Sequence, residues 1–235
     1  MPGPPDIPPS APDAPAAGDG LSRGEAVYQG LKSGILHHRF RMGDPLREED
    51  VASWFGASRA PARDALKRLE TEGLVERIGR KYAVRNYSYD EILVTYRMRA
   101  ALEHLSVEFA ILRADDAGIA ALGAELAAQK AVLGNASRGE FSDLDARFHL
   151  ALARLSGNDM LLRETETIIN RARLIRSNEL DKDNGPQAAY ADHCRIHAAL
   201  LRRDADTAKA ELNYHYATTV RLHETRSADA LGARS

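Results

Sequence analysis

From Ser88 onward, apolar residues recur at three- and four-residue intervals, and no stretch alternates with the two-residue period of a half-buried strand. Breaks rich in Gly, Asp and Asn divide this part into about six helices, expected over 89–113, 116–133, 140–156, 159–180, 187–202 and 205–225. Ser88 with Glu91 three residues on is a capping-box signature for the first of them. Long helices joined by short breaks predict an antiparallel bundle, with the Ala-rich stretch 117–131 packing closely.

The pattern is different ahead of Ser88. Ala26, Val27, Leu31, Ile35 and Leu36 share one face of a helix that starts near Gly24. Leu46 to Phe55 reads as a second, short helix with Val51, Ala52 and Phe55 apolar, and Gly56-Ala57 provides a tight turn. A third helix lies within 57–75: Ser58 is its N-cap, Pro61 falls in its first turn, and Gly73 stops it. Ala62, Ala65, Leu66 and Leu69 repeat at helical spacing and mark its buried face. Two short β-prone runs then flank Gly79-Arg80-Lys81, which reads as a hairpin with a basic tip.

The expected fold is therefore mainly α. It comprises an N-terminal winged helix-turn-helix (three helices plus a small β-wing) over 21–87, and a C-terminal antiparallel all-α bundle of about six helices over 88–228, linked near Asn86 to Asp90. Residues 1–20 hold seven of the ten prolines and almost no large apolar residue, so they are expected to be a disordered tail rather than a signal peptide.

A chain of 235 residues with 44% hydrophobic residues can bury a substantial core, and no apolar run approaches the length of a membrane span. One cysteine, Cys194, excludes an internal disulfide framework and fits a reducing cytoplasm; it is expected to be a small buried residue. The net charge of −2 conceals a partition. Residues 21–87 carry 13 Lys/Arg against 9 Asp/Glu, a net of +4, while the tail and the bundle are each net −3. Only the first domain has the sign that DNA requires, and +4 is modest enough to imply two copies for specific binding.

Arg59, Arg63 and Lys67 lie at i, i+4 and i+8, forming one exposed cationic ridge on the third helix. An ordinary solvated face carries the same pattern. The short helix and turn before it, and the hairpin after it, favour entry into a DNA major groove. The run from Gly43-Asp44 through Leu46-Arg47-Glu48, Phe55-Gly56-Ala57-Ser58-Arg59, Pro61, Arg63, Ala65-Leu66 to Gly73-Leu74-Val75 closely resembles the winged helix of GntR-family bacterial transcription regulators. The resemblance covers about residues 24–86. It implies DNA contacts from Arg47, Ser58, Arg59, Arg63 and Lys67, and from Arg80 and Lys81 in the wing. Ala60 departs from the hydroxyl residue common there, and Lys81 from the usual Gly.

In the bundle, Asp145 and His149 are four apart and share one face of the third bundle helix, with His193 on the fifth and His215 on the sixth. One carboxylate and three imidazoles suit a divalent ion of the Zn, Ni or Mn class, Zn or Ni foremost. A carboxylate–histidine pair at this spacing also stabilises a helix with no ion at all. The segment from Phe141 to Asn158, with Leu144-Asp145, Phe148-His149 and Ser156-Gly157-Asn158, is similar to the ligand-binding domain of the FCD subfamily of GntR regulators. Asp192-His193-Cys194-Arg195-Ile196-His197 and the later Glu211 to His215 match that subfamily too, with Asp192 where Glu is frequent. The resemblance covers about 88–224 and implies a metal held by Asp145, His149, His193 and His215, with a small carboxylate effector coordinating it.

Arg99 can meet such a carboxylate in bidentate fashion, or pair with Glu103 at i+4; Arg173 is a weaker candidate of the same kind. His197 is expected to pack or to hydrogen-bond around the cluster, and His37, His38, His104 and His223 to be surface or structural. No P-loop, Gly-rich dinucleotide turn, G-x-S-x-G or H-E-x-x-H motif occurs. A three-His, one-Asp ion can activate water, so a metal-dependent enzyme acting on small organic acids is the alternative. The expectation overall is a non-enzymatic, cytoplasmic homodimer that binds a double-stranded DNA operator and responds to a small carboxylate.

Overall fold

The computed structural model describes residues 22–134, 138–176 and 185–232, so the expected tail lies outside the described residues, as do 177–180 of the fourth bundle helix. The chain divides into two compact units between Asn86 and Tyr87.

The first unit packs α1 (Arg23–Leu36), α2 (Glu48–Trp54) and α3 (Arg59–Glu72) with a three-stranded antiparallel sheet. Val27, Leu31 and Ile35 from α1, Val51 from α2 and Ala62, Leu66 and Leu69 from α3 are all buried, closing one apolar core. Gly30 and Gly34 let aromatic rings lie directly on α1. A Cβ at Gly30 would come within 2.3 Å of Phe55, and one at Gly34 within 2.8 Å of Phe40.

The sheet order is β1-β3-β2, with β1 at Pro45–Leu46, β2 at Val75–Ile78 and β3 at Lys81–Val84. Leu46 therefore belongs to a strand, opposite Tyr82, and α2 begins at Glu48 rather than at Leu46. Glu48, Glu49 and Asp50 make the better helix start, since acidic side chains complement the free amides of a first turn. In the hairpin Ile78 pairs with Lys81, leaving only Gly79 and Arg80 as the turn. Gly79 has φ 64°, the left-handed conformation that a tight hairpin turn demands of its first residue. Lys81 is thus the first residue of β3, and the tip is narrower than the sequence suggested.

The second unit is all helical among the described residues: α4 (Tyr89–Arg113), α5 (Asp116–Val132), α6 (Arg138–Leu155), α7 (Asp159–Arg176), α8 (Gly185–Leu201) and α9 (Ala205–Gly232). Ser88 caps α4 in a complete capping box with Glu91, and Asp115 caps α5 by accepting from Gly118 N at 2.7 Å. α9 runs past the expected 225 because residues 226–231 hold no breaker before Gly232. α4 packs against α6, α7 and α9, α5 against α6 and α8, and α8 against α9. The apolar core of Val107, Phe148, Leu152, Ile169, Ile196 and Leu212 surrounds an unusual buried polar set that includes Arg99, Glu103, Asp145, His149 and His193.

Candidate metal centre and nucleic-acid interface

Charged and polar groups at the middle of an apolar bundle are costly unless each finds a partner. Here Asp145, His149, His193 and His215 present ligand atoms that all lie within 4.8 Å of one another, and all four residues are buried. The pattern of partners is selective. Asp145 Oδ2 accepts from Arg176 at 3.0 Å, yet its Oδ1 has no hydrogen-bond partner. His149 engages Glu103 through Nδ1 and leaves Nε2 buried and unpartnered. His193 engages Gln129 Oε1 through Nδ1 at 2.9 Å, again leaving Nε2 unpartnered. His215 engages Asp192 Oδ2 through Nδ1 at 3.1 Å. Each imidazole is held by one nitrogen while the other remains for the centre, the arrangement that fixes tautomer and aim in metal-ligating histidines.

The holding groups are themselves fixed. Gln129 donates its amide to the Leu144 carbonyl at 3.1 Å, so only its oxygen can face His193, whose Nδ1 must then carry the proton. Burial raises the Glu103 carboxyl, but His149 and Arg99 outweigh it and hold it down to about 2. Glu103 is therefore an acceptor, and His149 Nδ1 donates to it. Burial likewise raises Asp145, and Arg176, His149, His193 and Arg99 more than reverse this, keeping the carboxyl well below its usual range. Burial, then His215 and His149, push His193 well below the ordinary histidine value, so its imidazole is neutral with a lone pair to give. Phe148 stacks on His193 with ring centroids 4.5 Å apart and limits its swing.

One carboxylate oxygen and three imidazoles, buried and gathered within 4.8 Å of one another, have few satisfactory states without a cation among them. The residues fit such an ion by donor type and placement, and the unpartnered buried atoms of Asp145, His149 and His193 point to the same centre.

Arg99 resolves the choice left open by its sequence spacing. Its Nε donates to Glu103 at 2.7 Å, while Nη2 is buried with no partner, so the structural pair exists and one donor remains. Arg173 turns toward Asp143 and Ser142 Oγ instead, the latter at 3.3 Å. Arg176, one turn's reach away, is the arginine that meets Asp145, and sequence reading passed over it. Gln129 and Glu103 were likewise missed as partners of the histidines, and Asp192 was noted only as a departure from Glu. Every helix from α4 to α9 places at least one of these groups at the centre. His197 does not join them; its Nε2 bonds the Ile119 carbonyl at 3.0 Å. His37 bonds Ser33, His104 Nε2 is buried, and the side chain of His223 lies outside the described ones. Cys194 is half-buried rather than buried.

In the first unit, Arg59, Arg63 and Lys67 are exposed along α3, as expected of a ridge. Two of them are held from α2. Arg59 Nη2 lies 3.2 Å from Glu49 Oε2, and Arg63 Nε lies 3.1 Å from Glu48 Oε1. Arg63 uses Nε alone, which leaves its outer nitrogens available in a fork. Ser58 has N-cap backbone geometry, with φ −81° and ψ 170°, but its hydroxyl makes no capping bond. Pro61 contributes: it occupies the third helical position and offers the cap no N–H, leaving only that of Ala60. The Ser58 hydroxyl is thus uncommitted at an exposed helix start. Arg47, Arg80 and Lys81 are exposed as well.

Comparison with known proteins agrees with both halves. Residues 94–218 match the FCD domain family, and residues 23–83 match the family described as bacterial regulatory proteins, gntR family. The Nta operon transcriptional regulator of Aminobacter aminovorans is 32% identical over 181 residues, 77% of this chain and 84% of that protein. The uncharacterized HTH-type transcriptional regulator YdhC of Bacillus subtilis is 27% identical over 80% of this chain and 85% of its own length. Among solved structures, Escherichia coli McbR/YncC superposes with a TM-score of 0.76 at 18% identity, covering 88% of this chain and 99% of that one.

Proposed function

The chain belongs to the GntR family of DNA-binding bacterial transcription regulators and carries an FCD domain, and from that premise we propose that it is a metabolite-responsive, homodimeric regulator. In this reading the first unit, about residues 21–87, binds one half-site of a pseudo-palindromic operator through Arg59 and Arg63 on α3. Arg47, Ser58 and Lys67 contact phosphate, and Arg80 and Lys81 reach from the wing. The second unit, about 88–228, is the effector-binding and dimerisation domain, and the protein works in the cytoplasm beside its DNA.

Asp145, His149, His193 and His215 hold a divalent ion, Zn or Ni foremost, which when bound supplies a Lewis-acidic point for an oxygen of a small carboxylate. The unpartnered Nη2 of Arg99 then meets the same carboxylate. Arg173, turned toward Asp143, is assigned at most the outer edge of that pocket. The carboxylate shifts DNA affinity only by binding two arrangements of the bundle unequally.

The observation that carries this reading is the convergence of three buried atoms without partners, Asp145 Oδ1, His149 Nε2 and His193 Nε2. Elemental analysis of the purified protein, with a thermal-shift screen of small carboxylates on the metal-loaded chain, tests it. Bound metal at one per chain and a carboxylate that raises Tm and changes operator affinity are expected. Absence of metal, together with operator affinity indifferent to His193→Ala, sinks it. A turnover assay on the same carboxylates separates sensing from the enzyme alternative, since a sensor releases them unchanged.

A further inference from the structure

One face of α4 is apolar and exposed. Val94, Met98, Leu105 and Leu112 are between 43% and 76% exposed, and Ala101 is exposed between them. With Glu108 these fall at 94, 98, 101, 105, 108 and 112, a spacing of four and three in alternation. That is the seam of a helix pair rather than scattered surface residues. The opposite face, with Ile92, Tyr96, Arg99, Glu103, Val107 and Ala110, is already buried in its own bundle, so the helix is apolar on two sides.

We infer that this seam packs against the same seam of a second copy, with the two α4 helices antiparallel about a twofold axis near position 103. The inference rests on the homodimer proposed above and names its central contact. The spacing is symmetric about 103, so antiparallel pairing sets Val94 against the partner subunit's Leu112 and Ala101 against the partner subunit's Leu105. Small Ala101 at the middle lets the two backbones approach. Charge decides the direction. Glu108 is the one charged position of the seam, set opposite the partner subunit's Met98, and Arg97 is exposed beside the seam next to Met98. Antiparallel pairing brings each Arg97 to the partner's Glu108, whereas parallel pairing stacks Glu108 on Glu108 and Arg97 on Arg97. Self-complementarity of one patch is also what a closed twofold dimer requires. The seam spans about 27 Å at 1.5 Å per residue, most of the helix.

Sedimentation of the full chain and its variants tests the seam. Leu105→Glu is expected to raise the dimer dissociation constant on the order of 30-fold or more, as loss of a central apolar anchor does. Arg97→Glu and Glu108→Arg should each weaken it about tenfold, and the double variant Arg97→Glu/Glu108→Arg should restore it to within a few-fold of wild type. Restoration matters because Glu108 also pairs with Lys209 of its own chain, a contact that reversing Arg97 cannot repair. It also keeps the test decisive if Leu105→Glu fails to fold. A dimer unmoved by these changes, or a double variant no better than the singles, overturns the seam while the dimer stands. A wild-type chain that remains monomeric at tens of micromolar overturns the dimer as well.

Discussion

Both units of this protein set arginines against carboxylates, and they do so under opposite conditions. In the first unit Arg59–Glu49 and Arg63–Glu48 lie in water, with the arginine side chains 70% and 51% exposed. In the second, Arg99–Glu103 lies almost wholly inside the bundle, and Arg176–Asp145 nearly so. An exposed pair contributes little and is screened by salt, so its arginine can exchange a carboxylate for a phosphate or a base edge at small cost. A buried pair has no such freedom, because removing either member strands a charge in a poor solvent. The first arrangement suits a surface that must change partners. The second suits a site whose shape must exist before its ligand arrives.

Breaking one pair of each kind should give the widest contrast. Arg99→Met takes from buried Glu103 its cationic partner, and is expected to cost about 3–5 kcal/mol of folding stability. Arg63→Met should cost no more than about 0.5 kcal/mol. Urea unfolding of both variants at equal metal loading measures the difference. Similar losses at the two sites would show that the buried network does not differ in kind from the surface pairs.

The next effect concerns the centre that those buried pairs frame. A divalent ion at one hundred times its Kd should stabilise the chain by about 2.7 kcal/mol, read as a rise in Tm on titration. His193→Ala should abolish that rise. His197→Ala should keep it, because His197 bonds the Ile119 carbonyl and not the cluster. Equal metal response in the two variants would remove His193 from the ligand set.

The two units also differ in how much the sequence disclosed. The starts of the bundle helices were legible to within two residues, as with 89 against Tyr89 and 116 against Asp116, where Ser88-x-x-Glu91 and Asp115 are local capping chemistry. β1 was not, since two residues carry no period, and Leu46 reads equally well as the start of α2. At the centre, spacing put Asp145 and His149 on one helix face. It could say nothing of Gln129, which is 64 residues from His193 in the chain but hydrogen-bonded to it. Arg176 was hidden for the same reason, and Arg173 was favoured over it although both lie in the last turn of α7. Which of the two turns inward depends on packing between helices, and helical period alone does not resolve it. The capping bond of Ser58 is absent although its backbone has N-cap geometry; Pro61 removes one of the two amides that could have made it.

On the DNA side, Arg63→Ala should weaken specific operator binding by about 1–3 kcal/mol if its fork reads a base, with little change for unrelated DNA. Lys67→Ala should weaken both alike and flatten the salt dependence by about one unit, as loss of a phosphate contact does. Gel-shift titrations at several salt concentrations separate these outcomes. Uniform loss from both variants would make the whole α3 ridge a phosphate-binding face, with sequence read elsewhere.

The smallest effect tests whether the surface pairs really exchange. Glu49 holds Arg59 in the free protein, and its carboxylate would lie near the phosphates once α3 enters a groove. Replacing it by glutamine removes both a competitor for the guanidinium and a repulsive charge, so Glu49→Gln should tighten DNA binding, by less than about 1 kcal/mol. The gain should shrink as salt is raised, because an exposed charge is screened within a Debye length of about 8 Å. Glu48→Gln provides the contrast. If Glu48 only competes, its loss also tightens binding. If it aims Arg63 by occupying Nε and freeing the outer nitrogens, its loss weakens specific binding and leaves non-specific binding unchanged. Opposite signs for the two neighbouring glutamates would show that one exposed pair is a placeholder while the other orients the reading side chain.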